Sequence, residues 1–325
     1  MSDSDLDRLT VLGGGVLGGQ IAWHSAHRGK TVTVYDPSED AIGRCRAAHD
    51  GYAAIYRTVL GASDAEIAET RARLSFGRDL ADAVSEADIV IESVPEIPEI
   101  KAGVYAELAR SLPARTIIAT NSSTPLPRDF AALTGRPEKY CALHFANQIW
   151  SFNIVEIMAH AGTSQATLEA VAHFAIEIGQ VPVAVQKERN GYLLNSWLVP
   201  MLNASLALVS NGVATPEDVD RTFLVANRGA GMGPFGWIDV IGVKTAHDVS
   251  VYWGEVNDDA QLRKNAAFIR ENYLDKGLSR RLGGEGFYTY PDPAFARPDF
   301  LDVPDASAAP GIARRASLAI AEPAG

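Results

Sequence analysis

The sequence has little of what exported or membrane-bound proteins need. Its 325 residues include only two cysteines, Cys45 and Cys141, too few for a disulfide framework or a cysteine-based zinc site. Cys141 lies in an apolar segment, so we expect a buried, reduced thiol. No run of about 18 apolar residues occurs, so no membrane span is expected. The first residues, MSDSDLDRLT, lack the apolar segment of a secretory signal, and we expect a cytoplasmic protein.

Positive charge is also scarce. There are 29 Lys and Arg against 40 Asp and Glu, for a formal net charge of −11. No basic stretch offsets this excess, so a nucleic-acid partner is not expected. No group of His, Cys or carboxylate residues has the spacing of a metal site, and no metal is expected either. The length and the 47% hydrophobic content are typical of a globular protein with two domains.

Short apolar segments alternate with helix-like segments from residue 8 to residue 186. In chain order the strand-like segments are RLTVL, KTVTVYD, ADIVIESV, RTIIATNSS, YCALHF, FNIVEIM and QVPVAVQ. Such alternation predicts an α/β fold with a doubly wound, mainly parallel sheet. Two helices are predicted over residues 38–73, with Ser63 as the N-cap of the second and Glu66 at the capping-box position. We assign residues 1–188 to this domain.

Beyond about residue 190 the pattern becomes helical. The segment GYLLNSWLVPMLNASLALVSNG is apolar on most faces, so it should be buried on several sides. Contact with a second copy of the chain is one way to bury it, and we expect a homodimer. Residues 189–291 are therefore predicted to form a second, all-helical domain. Residues 292–325, rich in Pro, Ala and Asp, are predicted to be an extended C-terminal tail.

A glycine cluster follows the first strand and opens the first helix. Gly13, Gly15 and Gly18 have the G-x-G-x-x-G spacing, and Asp36 ends the second strand, which together are the fingerprint of a Rossmann-type dinucleotide site. The glycines permit a tight turn, close approach of a pyrophosphate and close helix packing. Asp36 can accept hydrogen bonds from a ribose diol and would repel a 2′-phosphate, so NAD is favoured over NADP. The plainer alternative is a glycine-rich turn without a ligand.

Polar residues follow several predicted strands, at the edge of the sheet where ligands bind in this fold. They include Asn121 and Ser123 after one strand and His144 near the end of another. Glu156 lies within a strand between apolar Val155 and Ile157. A buried carboxylate needs a partner, and His144 is the candidate. Such a pair suits general acid–base catalysis. The alternative is a core histidine and a solvent-facing glutamate.

Three further polar residues have plainer interpretations. Asn195 lies in the apolar helix with Val199 near it, and a buried Asn there must bond within the core or point into the site. His24 and His27 are predicted to lie on a partly exposed helix face, and not to form a metal pair.

Several motifs together resemble the L-3-hydroxyacyl-CoA dehydrogenase family. In order they are VLGGGVLGGQIA, VYD, NSS, LHFAN, the strand glutamate Glu156, GYLLNSWLVPMLNA, GMGPF and GGEGFYTY. The resemblance covers roughly residues 8–290. It implies oxidation of an (S)-3-hydroxyacyl thioester to the 3-ketoacyl thioester with NAD as cofactor, and a helical second domain that dimerises.

The resemblance also implies roles for particular residues. His144 would be the general base, Glu156 its orienting partner, and Ser123 and Asn195 would complete the catalytic set. Substrate contacts would come from Ser123, Asn147 and Asn195. The positions that would bind the cofactor are Gly13, Gly15, Val16, Leu17, Gly18, Asp36, Glu96, Lys101 and Asn121.

The sequence departs from the family pattern in ways that leave the substrate open. Gln148 stands where the family usually has Pro, and residues 31–100 contain no Lys. The family tends to hold coenzyme A with basic side chains of the helices near 50–73, where only Arg57, Arg71 and Arg73 are available. The alternatives are a short-chain 3-hydroxyacyl-CoA, a free 3-hydroxy acid of the gulonate or carnitine type, and a catalytically silent NAD-binding sensor.

Overall fold

The computed structural model describes residues 6–123, 125–214, 216–227, 234–278 and 284–317. The chain forms two compact units. The first runs to Asn203 and resumes at Val303, and the second comprises Ala204–Asp302. The division thus falls inside a helix, whereas the sequence placed it before that helix, at residue 188. None of the described helices is long and apolar enough to cross a membrane.

The first unit contains one eight-stranded sheet. Its strands are β1 (Arg8–Leu12), β2 (Thr31–Tyr35), β3 (Leu74–Gly77), β4 (Ile89–Glu92), β5 (Ile117–Thr120), β6 (Tyr140–Phe145), β7 (Ile154–Met158) and β8 (Val181–Val185). They lie in the order β3-β2-β1-β4-β5-β6-β7-β8. All neighbours are parallel except β6 and β7, which are antiparallel. The predicted α/β fold with a mainly parallel sheet is confirmed. The edge strand β3 was not predicted.

Thirteen α-helices accompany the strands in the described part of the chain. They are α1 (Val16–His27), α2 (Glu39–Val59), α3 (Asp64–Ala72), α4 (Leu80–Val84), α5 (Pro98–Ser111), α6 (Pro127–Phe130), α7 (Gln165–Glu177), α8 (Leu194–Ser210), α9 (Pro216–Ala226), α10 (Pro234–Ile241), α11 (Val243–Val256), α12 (Ala260–Asn272) and α13 (Ala309–Ala316). The predicted capping box is confirmed, because Ser63 caps α3 and exchanges hydrogen bonds with Glu66.

The sheet is buried on both faces. In β1, Leu9 and Val11 belong to one hydrophobic cluster and Leu12 to another. In β4, Ile91 and Val90 divide between the same two clusters, because successive side chains of a strand point to opposite faces. This explains why the strands read as continuous apolar runs, without the alternation of a sheet that has one face in water.

The C-terminal segment differs from the expected extended tail. Residues Ala309–Ala316 form α13, which contacts α7 and β8 of the first unit. Its buried residues are Ala309, Ile312, Ala313 and Ala316, a spacing that places them on one side of a helix. The prediction of an extended tail was wrong for this stretch, because four small or apolar residues are enough to pack a helix against α7 and β8. Residues 318–325 lie outside the described part.

The second unit is helical, as predicted, and α11 and α12 pack against each other. The buried side chain of Asp239 in α10 binds the backbone of the segment that follows α12. Its carboxylate accepts hydrogen bonds from the backbone N–H groups of Phe287 (2.8 Å) and Tyr288 (3.0 Å). Helix α10 begins at Pro234, while the glycine-rich residues 228–233 lie outside the described residues.

Candidate active site

The glycine cluster forms the turn between β1 and α1. Gly13 has a φ of +103°, and a side chain there would collide with the backbone of Ser93. A Cβ added to Gly18 would lie 2.1 Å from the Gly13 carbonyl oxygen, so only glycine allows this helix to approach the strand. A Cβ at Gly15 would meet nothing within 4 Å and would project into open space. The turn therefore keeps the N-terminus of α1 uncovered, as a bound pyrophosphate requires.

A cleft of about 620 Å³ opens beside this turn. Its lining residues are Gly13, Gly14, Gly15, Val16, Asp36, Ala41, Arg44, Cys45, Ala48, Tyr52, Ser93, Val94, Pro95 and Glu96. The Asp36 carboxylate accepts hydrogen bonds from the N–H groups of Gly14 (2.9 Å) and Ser38 (2.9 Å). Each of its oxygens keeps a lone pair for a ribose hydroxyl. These acceptors thus fit the ribose in the adenosine half of a dinucleotide.

A second cavity, of about 220 Å³, shares Gly15, Val16 and Glu96 with this cleft. It is lined by all of the remaining residues that the sequence assigned to the cofactor. Its lining residues are Gly15, Val16, Leu17, Gly18, Ser93, Val94, Glu96, Lys101, Asn121, Ser122 and Ser123. Because Ser123 belongs to it, this cavity connects the dinucleotide cleft to the strand-end polar residues.

Lys101 is buried, and its charge is compensated by a residue that the sequence argument had not assigned. Its Nζ lies 2.7 Å from Oε1 of Glu92, which is fully buried at the end of β4. The other Glu92 oxygen accepts hydrogen bonds from Tyr105 (2.6 Å) and Thr120 (2.8 Å). A buried carboxylate with this many donors is held firmly. The sequence signal was available, since Glu92 is a charged residue in an apolar strand.

Glu96 and Asn121 hold neighbouring parts of the site in place. Glu96 accepts the backbone N–H of Ser123 at 2.8 Å and lies 3.8 Å from the Lys101 ammonium group. The buried Asn121 side chain accepts the N–H of Phe145 at 2.9 Å. This bond joins the end of β5 to β6 and so fixes the position of the strand that carries His144.

His144 and Glu156 face each other across the antiparallel pair β6 and β7. His144 Nδ1 lies 2.9 Å from Glu156 Oε2, and both side chains are buried. His144 Nε2 lies 3.0 Å from Ser123 Oγ. With the Nδ1 proton directed at the carboxylate, Nε2 carries a lone pair toward the Ser123 hydroxyl. The structure thus brings Ser123, His144 and Glu156 into one hydrogen-bonded chain.

The second oxygen of Glu156 is bound by the start of α8. Its Oε1 accepts the N–H groups of Leu193 (2.7 Å) and Leu194 (2.9 Å). Free N–H groups at a helix N-terminus favour a negative charge. The carboxylate is therefore held in place by hydrogen bonds from the start of α8 as well as by His144.

Tyr192 was not recognised from the sequence. Its ring stacks on His144 at 4.4 Å between centroids with an interplanar angle of 16°. Gly191 and Tyr192 both have left-handed backbones, with φ of +79° and +53°. This turn places the Tyr192 ring against His144 and directs the backbone N–H groups of Leu193 and Leu194 at Glu156. In the sequence around Tyr192, only Gly191 indicates that such a turn forms.

Asn147 and Asn195 are not hydrogen-bonded to the His144–Glu156 pair. Asn147 follows β6 in an exposed loop, where its Oδ1 accepts a hydrogen bond from Gln20. Asn195 is half-buried in the first turn of α8, and its N–H donates to the Gly191 carbonyl oxygen. The expected apolar neighbour Val199 is 47% exposed. The predicted substrate roles of both asparagines are thus not decided by contacts within the chain.

Comparison with known proteins agrees with this geometry. Residues 8–189 match the NAD-binding domain model of 3-hydroxyacyl-CoA dehydrogenase, and residues 191–290 match its C-terminal domain model. The 3-hydroxybutyryl-CoA dehydrogenase of Mycobacterium tuberculosis is 32% identical over 89% of this chain and 100% of its own. Human mitochondrial hydroxyacyl-coenzyme A dehydrogenase is 29% identical over 87% of this chain and 90% of its own.

A solved structure extends the comparison. It is a diketoreductase, described in terms of substrate-directed dual catalysis of dicarbonyl compounds. It is 43% identical, covers 88% of this chain and 99% of its own, and superposes with a TM-score of 0.65. With both domain models matched and the dinucleotide cleft in place, the chain belongs to the 3-hydroxyacyl-CoA dehydrogenase family and is an NAD-dependent oxidoreductase.

Proposed function

We propose that the protein oxidises the hydroxyl group of a short (S)-3-hydroxyacyl-CoA to the 3-ketoacyl-CoA, with His144 as the general base. The observation that carries this proposal is the chain Ser123–His144–Glu156, which adjoins the cavity beside the glycine turn. A substrate hydroxyl that bonds to both Ser123 Oγ and His144 Nε2 would have its proton within reach of a base.

Each side chain then has a defined task. Ser123 orients the substrate oxygen, and His144 Nε2 accepts the hydroxyl proton as the carbonyl forms. Glu156, held by the N–H groups of Leu193 and Leu194, stabilises the imidazolium that forms. NAD held at the glycine turn would supply the acceptor for the hydride of the carbinol carbon. Asp36 would hold its adenosine ribose, and Glu96, Lys101 and Asn121 would line the nicotinamide side.

Assembly and location belong to the same proposal. Several apolar side chains of α8, including Trp197 (53% exposed) and Leu206 (65% exposed), are uncovered in the single chain. Such exposure is unusual for a lone helix in water, and we propose that a second copy of the chain covers it. We also propose a cytoplasmic location.

A second candidate substrate is a free 3-hydroxy acid or a small dicarbonyl compound. Basic side chains among residues 50–73 would have to hold the nucleotide end of coenzyme A. Arg57 is paired with Asp64 (2.8 Å), Arg71 with Asp50 (2.6 Å) and Arg73 with Glu69 (3.0 Å). Each of these three cations thus already has a carboxylate partner within the chain. The higher identity to the diketoreductase than to the two acyl-CoA dehydrogenases named above supports the same candidate.

The test is a comparison of substrates with one enzyme preparation. NADH formation is measured with (S)-3-hydroxybutyryl-CoA, with its N-acetylcysteamine thioester, and with free 3-hydroxybutyrate, gulonate and carnitine. Turnover of the CoA thioester with a much lower KM than the truncated thioester supports the acyl-CoA proposal. Turnover of free acids alone supports the second candidate. Binding of NAD with no turnover on any substrate would contradict both and favour a sensor.

A further inference from the structure

The loop after β6 contains a backbone conformation that its residue type rarely adopts. Gln148 has a φ of +58°, in the left-handed region that favours glycine. Its N–H donates to Gln20 Oε1 at 2.8 Å. Its carbonyl oxygen accepts the N–H groups of Ser151 (2.8 Å) and Phe152 (2.9 Å). The unusual conformation is therefore held by hydrogen bonds on both sides of the residue.

Gln20 is the group that reaches this loop from α1. Its side chain is buried, with 4% of the residue exposed. Oε1 binds the Gln148 N–H, and Nε2 donates to Asn147 Oδ1 at 2.9 Å. One carboxamide thus holds the backbone of one loop residue and the side chain of the residue before it.

The backbone N–H of Gln148 also determines how both amide groups are oriented. An N–H can only donate, so the Gln20 atom that faces it must be oxygen. The nitrogen of Gln20 then faces Asn147, and the Asn147 atom that meets it must be oxygen. Asn147 Nδ2 is then turned away from Gln20, and one lone pair of Asn147 Oδ1 is taken up by the bond from Gln20 Nε2.

The loop has further support on the far side of Gln148. Ile149 is fully buried, and Trp150 packs against Tyr52 and Tyr56 of α2 at centroid distances of 5.4 and 6.2 Å. Anchors on α1 and α2 thus hold the segment that begins three residues after His144. A rigid loop is what a precisely oriented substrate contact requires.

We propose that Gln20 is a positioning residue, which fixes Asn147 as a donor toward an acyl oxygen of the substrate. The inference rests on the proposed function, since it takes the substrate to carry such an oxygen beside the reacting carbinol. The oxygen could belong to a thioester carbonyl or to a free carboxylate, and both are hydrogen-bond acceptors. Gln20 itself would not touch the substrate.

The test measures binding and does not depend on turnover. Acetoacetyl-CoA or acetoacetate is titrated into the enzyme with NAD, a pair that cannot react because both are already oxidised. In Gln20→Glu both side-chain oxygens are acceptors, so Asn147 must turn its NH₂ group inward and its oxygen outward. We expect the Kd of whichever ketone binds to rise about tenfold, the cost of roughly one hydrogen bond, with the Kd of NAD unchanged.

A double-mutant cycle with Asn147→Ala separates orientation from packing. If Gln20 acts through Asn147, adding Gln20→Glu to Asn147→Ala changes ketone affinity by less than twofold. An effect as large as in the wild-type background would overturn the proposal. So would a Gln20→Glu variant that melts earlier yet binds the ketone with wild-type affinity.

Gln20→Met combined with Gln148→Gly supplies the structural control. Glycine adopts the left-handed conformation readily, so Gln148→Gly should recover part of the melting temperature lost in Gln20→Met. It should not recover ketone affinity, because Asn147 stays unoriented. Full recovery of affinity would show that loop conformation alone matters and would reject the proposal. Failure of the proposed function would instead appear as an absence of turnover in the wild-type enzyme, with these affinities still measurable.

Discussion

Two buried histidines of the first unit differ in what surrounds them. His144 has a carboxylate on one nitrogen and the Ser123 hydroxyl, at the edge of a cavity, on the other. His24 has the Tyr56 hydroxyl at 2.5 Å on Nδ1 and the Ile178 carbonyl oxygen at 2.8 Å on Nε2. Burial, reinforced by the Arg28 charge, lowers the pKa of His24 to about 3.

The difference indicates what a buried histidine needs in order to act as a base. His24 is neutral, with both nitrogens bonded to uncharged groups of the core, and it joins α1 to α2 and to the end of α7. His144 has a buried carboxylate beside it, and that carboxylate is itself held by the start of α8. A carboxylate partner and access to a cavity are what the proposed base has and His24 lacks, whereas burial is common to both.

Replacing Glu156 by Gln should make the surroundings of His144 resemble those of His24. The charge that stabilises the imidazolium is lost, and the single amide oxygen cannot accept from both His144 Nδ1 and the N–H groups of α8, because the NH₂ group can only donate. We expect kcat/KM to fall by about 10²–10⁴-fold, the usual range for removing general base catalysis, with a small change in NAD affinity. Steady-state kinetics and fluorescence titration with NAD measure the two effects. A loss below fivefold would mean that the carboxylate is not needed.

The neutral histidines should make the protein less stable in acid. His49, buried against the Gly19 carbonyl oxygen, has its pKa lowered to about 4 by burial, with a contribution from Arg71. An unfolded chain binds a proton near pH 6.5 where the folded chain does not. The stability from neutral His49 is therefore fully present above about pH 6.5 and is lost as the pH falls toward 4, by on the order of 3 kcal/mol.

Urea unfolding from pH 7 to pH 4 checks this, with His49→Gln as the comparison. The variant should be less stable at pH 7 but should lose less stability on acidification than the wild type. Parallel pH dependences for the two proteins would show that His49 does not titrate in this way.

The smallest effect concerns Tyr192, whose ring packs on His144. Among the described residues its hydroxyl has no hydrogen-bond partner, although the side chain is buried. Tyr192→Phe keeps the stacking and removes an unpaired polar group, so the free energy of unfolding should rise by about 1 kcal/mol. Chemical denaturation measures it, with Tyr192→Leu as the control that loses the ring. A less stable Phe variant would imply a partner for the hydroxyl.

Much of the first unit could be predicted from the sequence because its signals are local. The strands β1 and β6 coincide with the predicted segments, and Ser63 and Glu66 form the predicted cap. The pairing of His144 with Glu156 was inferred from the cost of burying a carboxylate. That cost is a property of the residue and does not depend on knowing the fold.

Other features depend on contacts between distant segments, and no local pattern reports them. The sequence interpretation of His24 as partly exposed was wrong because Tyr56, from another helix, covers it. The edge strand β3, LSFG, is only partly buried and lacks the continuous apolar run of β4 and β5. The sequence gives no sign that Gln20 has a partner, and only the fold brings Gln148 to it.

The central claim is that His144 is the base and His24 a structural residue. The most direct measurement compares His144→Gln with His24→Gln, both for turnover of the best substrate and for the Kd of NAD. We predict that His144→Gln loses turnover by about a thousandfold with NAD affinity nearly unchanged, whereas folded His24→Gln keeps turnover within a few-fold and is less stable. Wild-type turnover in His144→Gln would contradict the account.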